Sequence, residues 1–88
     1  MNLYELAIDP DVDKTIRTLA KKDRVHYEEL EKKIRHILEN PFAFKPLHKP
    51  LDGFWRVHIG SFVLVYHVAG NTVFLNEYAH HDHAYGAL

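Results

Sequence analysis

The spacing of apolar and polar residues changes several times along the chain, and each change marks a predicted element. Residues 2–8 alternate with a period of two, which predicts a short strand. Asp9 and Pro10 then suit a helix N-cap and first helical position, since the N–H that proline lacks would be unpaired there anyway. A helix is therefore predicted over about 10–22. Its apolar stripe consists of Val12, Ile16, Leu19 and Ala20.

A second helix is predicted over about 24–40, where apolar residues recur every three or four positions. Its polar side carries the i,i+4 pairs Glu28–Lys32, Glu29–Lys33 and Glu31–Arg35, with the acid on the favourable N-terminal side. Pro41 ends this helix, because the residue before a proline avoids helical angles. The segment "KKDR" between the helices is only long enough for a turn, so they must form an antiparallel hairpin.

The second half of the chain predicts strands joined by short turns. Residues 41–53 hold three prolines and a glycine and are neither helix nor central strand. Strands are predicted over 54–59, 62–68 and 72–79, with a type II′ turn at Gly60-Ser61 and a second turn at "AGN". The order β-α-α-β-β-β predicts an α+β fold, with the helix hairpin packed on one face of a twisted antiparallel sheet. The expected core comprises Leu30, Ile34, Ile37, Trp55, Val57, Ile59, Leu64 and Tyr66.

The strand predicted over 54–59 has one apolar side and one side that carries basic residues. Its apolar side, from Trp55 to Ile59, belongs against the helices, because successive side chains alternate between the faces of a sheet. Arg56 and His58 then point out of the other face, which we call the open face. His81 follows the last strand and is expected within reach of both.

Composition narrows the class of protein. The 88 residues suggest one domain, and 47% hydrophobic with 26% charged residues is typical of a globular protein. Without cysteine, neither disulfides nor thiolate metal sites are possible. The longest apolar run is far short of the roughly 20 residues that a membrane helix needs. The N-terminus lacks the pattern of a signal peptide, so a cytoplasmic location without membrane partners is expected.

Charge gives a mixed indication. Eleven Lys and Arg residues face twelve Asp and Glu residues, for a formal charge of −1, whereas a nucleic-acid binder is normally basic. The eight histidines qualify this argument, because imidazole gains a proton near neutral pH and can then meet a phosphate.

The stretch "EYAHHDHAY" near the C-terminus has three competing interpretations: an acid–base site, a metal site or a solvated tail. For a metal, His81 and His83 are two residues apart and could share an ion with His58 or Asp82. Zinc usually has at least three protein ligands of this kind. His80 and His81 should point opposite ways on a strand, which weakens the metal interpretation.

The segment "PLHKPLDGFWRVHIGSFVLVYHVAGNTVFL", followed by "HHDHAY", resembles the RelE/ParE superfamily of toxins from toxin–antitoxin pairs. Its L-x-G, the aromatic residue after it, the basic residues at alternate positions and the glycine-centred hairpin follow that pattern over 47–85. The resemblance implies that residues 1–88 form a single RelE-like toxin domain. It also implies a ribosome-dependent mRNA endonuclease that needs no cofactor or metal, acts on mRNA bound to the ribosome and is neutralised by a RelB-like antitoxin.

The resemblance also assigns candidate residues by position. Arg56 and His58 occupy the two alternating basic positions of the family. His81 stands at the position of the family's late arginine, and Tyr85 at that of its late tyrosine. Val63 stands where an arginine is usual. The candidate catalytic residues are therefore Arg56, His58, His81 and Tyr85, and the candidate RNA-binding residues are Lys45, Lys49 and Arg56.

These residue types suit cleavage by the 2′-hydroxyl of the RNA itself. Imidazole is well matched to the acid and base steps, which His58 and His81 would share in an unassigned order. Arg56 would clamp the phosphate, and Tyr85 would stack on a base or donate a hydrogen bond. The valine at 63 keeps two alternatives open. One is a catalytically inactive protein that only binds partners, and the other is a ParE-like protein that acts on DNA gyrase.

Overall fold

The computed structural model describes residues 3–86, which form two helices against a five-stranded sheet. The elements are β1 (Glu5–Ile8), α1 (Pro10–Lys22), α2 (Arg24–Glu39), β2 (Lys45–Pro46), β3 (Phe54–Ile59), β4 (Phe62–Ala69) and β5 (Thr72–His80), with 3-10 turns at Pro41–Ala43 and His81–His83. The predicted helices and hairpin strands are confirmed to within about a residue. Neither α1 nor α2 has the length and apolar character that a membrane crossing requires.

The first strand is shorter than predicted. It begins at Glu5, whose partner Thr72 is the first residue of β5, so the chain before it has no strand to pair with. Tyr4 instead donates its backbone N–H to the carbonyl of Leu38, 3.1 Å away, near the end of α2. Asn2, which the prediction included, lies outside the described residues.

One aspartate explains why the two helices follow each other so closely. The backbone N–H of Asp23 donates to the carbonyl of Leu19 at 2.9 Å and so closes α1. The carboxylate of Asp23 accepts from the N–H of His26 at 3.2 Å and so caps the start of α2. The helices need no further linker, and the predicted hairpin is confirmed.

The strand order is β1-β5-β4-β3-β2. The pairs within β2 to β5 are antiparallel, but β1 lies parallel to β5, so the sheet is mixed rather than wholly antiparallel. The helix hairpin between β1 and the later strands is a crossover connection of the kind that parallel strands require. The two-residue β2 was not predicted as a strand. It lies at the edge of the sheet, where a proline is tolerated.

The core lies between the helices and one face of the sheet. Leu30, Ile37, Leu64 and Tyr66 are fully buried there, whereas Trp55, expected in the core, is only partly buried against it. Ile34, also expected in the core, is likewise only partly buried against it. The core also takes in Val57 and Ile59, which confirms the predicted facing of β3.

Candidate functional site

A row of paired residues crosses the open face of the sheet. Lys45 of β2 pairs with Arg56 of β3, which pairs with Val65 of β4, which pairs with Glu77 of β5. Residues directly opposite each other on neighbouring strands share a face, so these four side chains line up on one side. Arg56 therefore lies on the open face, as predicted.

A β-bulge places Glu77 in this row. Val73 and Leu75 face the helices, and strict alternation would turn Glu77 the same way. The register shifts between Val65 and Tyr66, however, and leaves Asn76 as an extra residue in β5. Tyr78 consequently joins the core, and Glu77 is directed to the open face.

The chain leaves β5 and folds back over that face. The backbone N–H of Tyr85 donates to Oε1 of Glu77 at 2.5 Å, and its hydroxyl accepts from Nη1 of Arg56 at 3.0 Å. Because those two partners flank Val65 in the row, the Tyr85 side chain must cross above it. Val63 and Val65 are only 2% and 0% exposed, although neither belongs to the core on the helix side. Their burial is what a cover over the open face would produce.

Tyr85 is held in an unusual backbone conformation. Its φ of 73° lies in the left-handed region, which costs a residue with a Cβ roughly 1–2 kcal/mol. Such a conformation persists only when the surroundings fix it, and the bonds to Glu77 and Arg56 do so. The resemblance identified Tyr85 but not Glu77, its anchor. The one signal in the sequence was a carboxylate within an otherwise largely apolar strand.

Arg56 has a donor that the protein leaves unused. Its side chain is partly buried, and Nε is a buried nitrogen without a hydrogen-bond partner among the described residues. A buried N–H without an acceptor is unfavourable by roughly 1–3 kcal/mol. The site therefore favours a ligand that brings an acceptor oxygen to Arg56.

The two candidate acid–base histidines do not touch. His58 is exposed on the open face and pairs with Val63, which pairs with Ala79. His81 lies two residues beyond Ala79, and its backbone N–H donates to the carbonyl of Ser61 at 2.8 Å. Two strand spacings and two residues separate the Cα atoms of His58 and His81 by about 12 Å. That separation leaves room for a phosphodiester between the rings.

Both candidate RNA-binding lysines are exposed, and Lys45 is itself part of the row. Lys45 is exposed next to Arg56, at the edge of the sheet. Lys49 is exposed in the turn before β3.

The structure groups potential metal ligands differently from the sequence-based expectation. His80, His81 and Asp82 offer ligand atoms that all lie within 4.8 Å of one another, and His83 is not among them. The prediction that His80 and His81 diverge was wrong. Because β5 ends at His80 and the backbone turns into the 3-10 turn there, the two ring centroids are 4.4 Å apart.

The fold and the similarity of the sequence to known proteins define the class of protein. Residues 6–85 match the sequence model of the family described as "ParE toxin of type II toxin-antitoxin system, parDE". The chain belongs to this family and is a type II toxin–antitoxin toxin of the RelE/ParE superfamily. The resemblance drawn from the sequence is thereby confirmed.

Individual relatives agree with this assignment. A Methanocaldococcus jannaschii protein named "Putative toxin RelE4" is 42% identical over 86 residues, which cover 94% of this chain and 92% of that protein. Among solved structures, a double arginine-to-alanine mutant of the E. coli toxin RelE in the free state has a TM-score of 0.74 at 25% identity, covering 97% of this chain and 93% of that one. A YoeB/ParE toxin from Agrobacterium tumefaciens has a TM-score of 0.79 at 21% identity, covering 88% of this chain and 98% of that one.

Proposed function

We propose that this toxin is a ribosome-dependent endoribonuclease that cleaves mRNA and so inhibits translation. The observation that carries the proposal is Arg56, whose buried Nε on the open face lacks an acceptor among the described residues. Guanidinium is a permanently charged fork that matches the oxygens of a phosphate. A phosphodiester of RNA would supply the missing acceptor.

The two histidines would then perform the proton transfers. One imidazole takes the proton of the 2′-hydroxyl as the 2′-oxygen forms its bond to phosphorus. The other gives a proton to the 5′-oxygen as the bond between that oxygen and phosphorus breaks, leaving a 2′,3′-cyclic phosphate. His81 suits either role, because its Nδ1 donates to the carbonyl of Ser61 at 3.1 Å and its Nε2, 3.1 Å from the exposed carboxylate of Asp82, can take up or give up a proton. Arg56 offsets the charge that develops on the phosphate.

Tyr85 and the lysines would position the RNA. The Tyr85 hydroxyl already holds Arg56 at 3.0 Å, which orients the guanidinium before RNA arrives. Its ring is also a surface on which an unpaired base can stack. Lys45 and Lys49 would contact neighbouring phosphates and so fix the register of the strand.

We further infer that a RelB-like antitoxin binds this toxin. Solved relatives include the intact E. coli RelBE toxin–antitoxin complex, with a TM-score of 0.73 at 25% identity, covering 88% of this chain and 95% of that one. In this chain an apolar groove beside the edge strand β1 is lined by Leu6, Ile8, Ile16 and Ile34. Such a groove suits the apolar side of an amphipathic helix.

A second candidate function is inhibition through protein binding. Val63 favours it, since this buried residue stands where the resemblance leads one to expect an arginine. The match to a family named for ParE toxins points the same way. In that case the toxin would act on DNA gyrase, or would bind partners without catalysis.

Ribosomes carrying a defined mRNA separate the two candidates. Purified toxin should cleave the bound mRNA and leave the same mRNA intact without ribosomes. A 2′-deoxy substitution at the cleaved nucleotide should abolish cleavage, because the nucleophile is missing. Arg56→Ala should lower the rate, whereas Arg35→Ala, at an exposed position on α2, should not. Intact mRNA together with loss of gyrase supercoiling activity would establish the second candidate instead.

A further inference from the structure

The end of β5 carries a compact group of metal-ligand side chains, of which the proposed cleavage reaction uses only His81. His80, His81 and Asp82 belong to one short segment, and their potential ligand atoms lie within 4.8 Å of one another. We propose that these three residues bind a divalent transition-metal ion such as Zn²⁺.

The distances within the group suit such an ion. Nε2 of His81 lies 3.1 Å from Oδ1 of Asp82, and Nδ1 of His80 lies 3.5 Å from Oδ2 of the same carboxylate. Zinc bonds of about 2.0–2.1 Å in a tetrahedron set neighbouring ligand atoms about 3.3 Å apart. Both distances to the Asp82 carboxylate therefore lie within about 0.2 Å of the spacing that zinc sets.

The hydrogen bond of His81 to Ser61 adds an independent argument. The carbonyl oxygen of Ser61 can only accept, so Nδ1 of His81 carries the proton. In the neutral ring, Nε2 then presents a lone pair to a carboxylate oxygen 3.1 Å away, so two acceptors face each other. A cation between these two acceptors would remove their repulsion. Metal-binding histidines typically donate their other ring N–H to a backbone carbonyl in this way.

His80 is held in place from its other side. Its ring packs edge-on against Phe62, with centroids 5.6 Å apart. Its Nδ1 accepts from the backbone N–H of Asp82 at 3.2 Å, and an ion bound at that nitrogen would displace this contact. The displacement is inexpensive, because the N–H is in an exposed turn where water can replace the imidazole.

The donor set and the exposure indicate the kind of ion. Two imidazoles and one carboxylate favour Zn²⁺, Cu²⁺, Ni²⁺ or Co²⁺ over Mg²⁺ and Ca²⁺, which prefer oxygen ligands. The side chains of His81 and Asp82 are 56% and 67% exposed, so solvent can reach the group and complete the coordination. An ion would occupy Nε2 of His81 and compete with its proton transfer. That consequence rests on the proposed function, whereas binding of the ion does not.

Titration of the purified toxin with Zn²⁺ by calorimetry, and with Co²⁺ by visible absorption, tests the site. We expect one ion per chain and the intense absorption of tetrahedral Co²⁺. We expect weaker binding from each of His80→Ala, His81→Ala and Asp82→Asn. The loss should be at least about tenfold, because even the loss of an outer-shell partner costs that much. His36→Ala, on α2, and His83→Ala, in the same turn, are controls that should bind as the unaltered protein does.

The variants lie at exposed or half-exposed positions, and circular dichroism would verify that they remain folded. Binding of Zn²⁺ by His81→Ala and Asp82→Asn with unaltered affinity would overturn the proposal. Equal weakening by the His36→Ala control would overturn it as well, because binding would then be spread over surface histidines.

Discussion

Glu77 should control whether Tyr85 stays folded over the open face. Glu77 is 7% exposed and its carboxylate accepts the backbone N–H of Tyr85, while the hydroxyl of Tyr85 accepts from Arg56. Replacing Glu77 by Ala removes the acceptor, and replacing it by Gln keeps an acceptor without the charge. Both changes should release Tyr85 and with it the orientation of Arg56.

The size of the effect follows from the balance of bond and strain. A hydrogen bond to a charged group contributes about 1.5–3 kcal/mol, and the left-handed φ of Tyr85 costs about 1–2 kcal/mol. Without the bond to Glu77, the hydroxyl contact with Arg56 has to offset that strain alone. Losing 1.5–3 kcal/mol lowers the ratio of docked to released Tyr85 by about 10- to 150-fold. A neutral acceptor retains about half of the bond, so Glu77→Gln should lower the ratio by roughly 3- to 12-fold.

Amide hydrogen exchange of Tyr85, followed by NMR, measures this ratio without reference to any activity. Glu39→Ala, at an exposed glutamate at the end of α2, is the matched control. Exchange of the Tyr85 amide should be faster in Glu77→Gln than in the unaltered protein, and faster still in Glu77→Ala. In the control its rate should stay unchanged. Cleavage on ribosomes should fall in the same order. Unchanged exchange in Glu77→Ala would refute the anchoring role.

Three other outcomes are expected. Arg56→Ala should slow cleavage by about 10²–10³-fold, the usual loss for one preorganised donor. Arg56→Lys should recover only part of that rate, because lysine lacks the forked guanidinium. A Lys variant that cleaves at the unaltered rate in single-turnover assays would contradict this. Burial raises the pKa of Tyr66 and of Tyr78, so their contribution to the unfolding free energy should be constant below pH about 10 and decline above it, as the unfolded chain loses those protons first. Denaturant titrations should show a shallower decline when both become Phe, and an identical decline would be inconsistent with buried phenols. Chelators should not lower the cleavage rate, whereas a rate that depended on added metal would exclude the imidazole mechanism.

Much of the fold could be predicted because local signals agree with the global arrangement. Asp9 caps α1, as its position before the apolar periodicity suggested, whereas the cap that Asp23 supplies to α2 was not predicted. Gly60 and Gly70 both adopt a φ of 59°, in the left-handed region that tight hairpin turns require. The alternation over 54–59 gave the correct face for Arg56 and His58. Each of these signals depends on neighbours in the chain.

The features that were missed depend on residues distant in sequence. A period of two does not specify strand direction, so the parallel pairing of β1 with β5 could not be deduced. The bulge that turns Glu77 outward breaks the alternation without a glycine to mark it. The anchoring of Tyr85 and the proximity of His80 to His81 both follow from where β5 ends. Those contacts form only after the sheet has fixed the end of the strand.

The pH dependence of single-turnover mRNA cleavage on ribosomes tests the central claim most directly. The unaltered toxin should show a bell-shaped profile with both limbs in the titration range of imidazole. His58→Ala and His81→Ala should each cost about 10²–10⁴-fold and remove one limb. The double variant should be little slower than either single one, because residues that act as a unit are not additive. If His81→Ala instead cleaves at the unaltered rate with the bell intact, His81 takes no part in proton transfer and the mechanism proposed here is wrong.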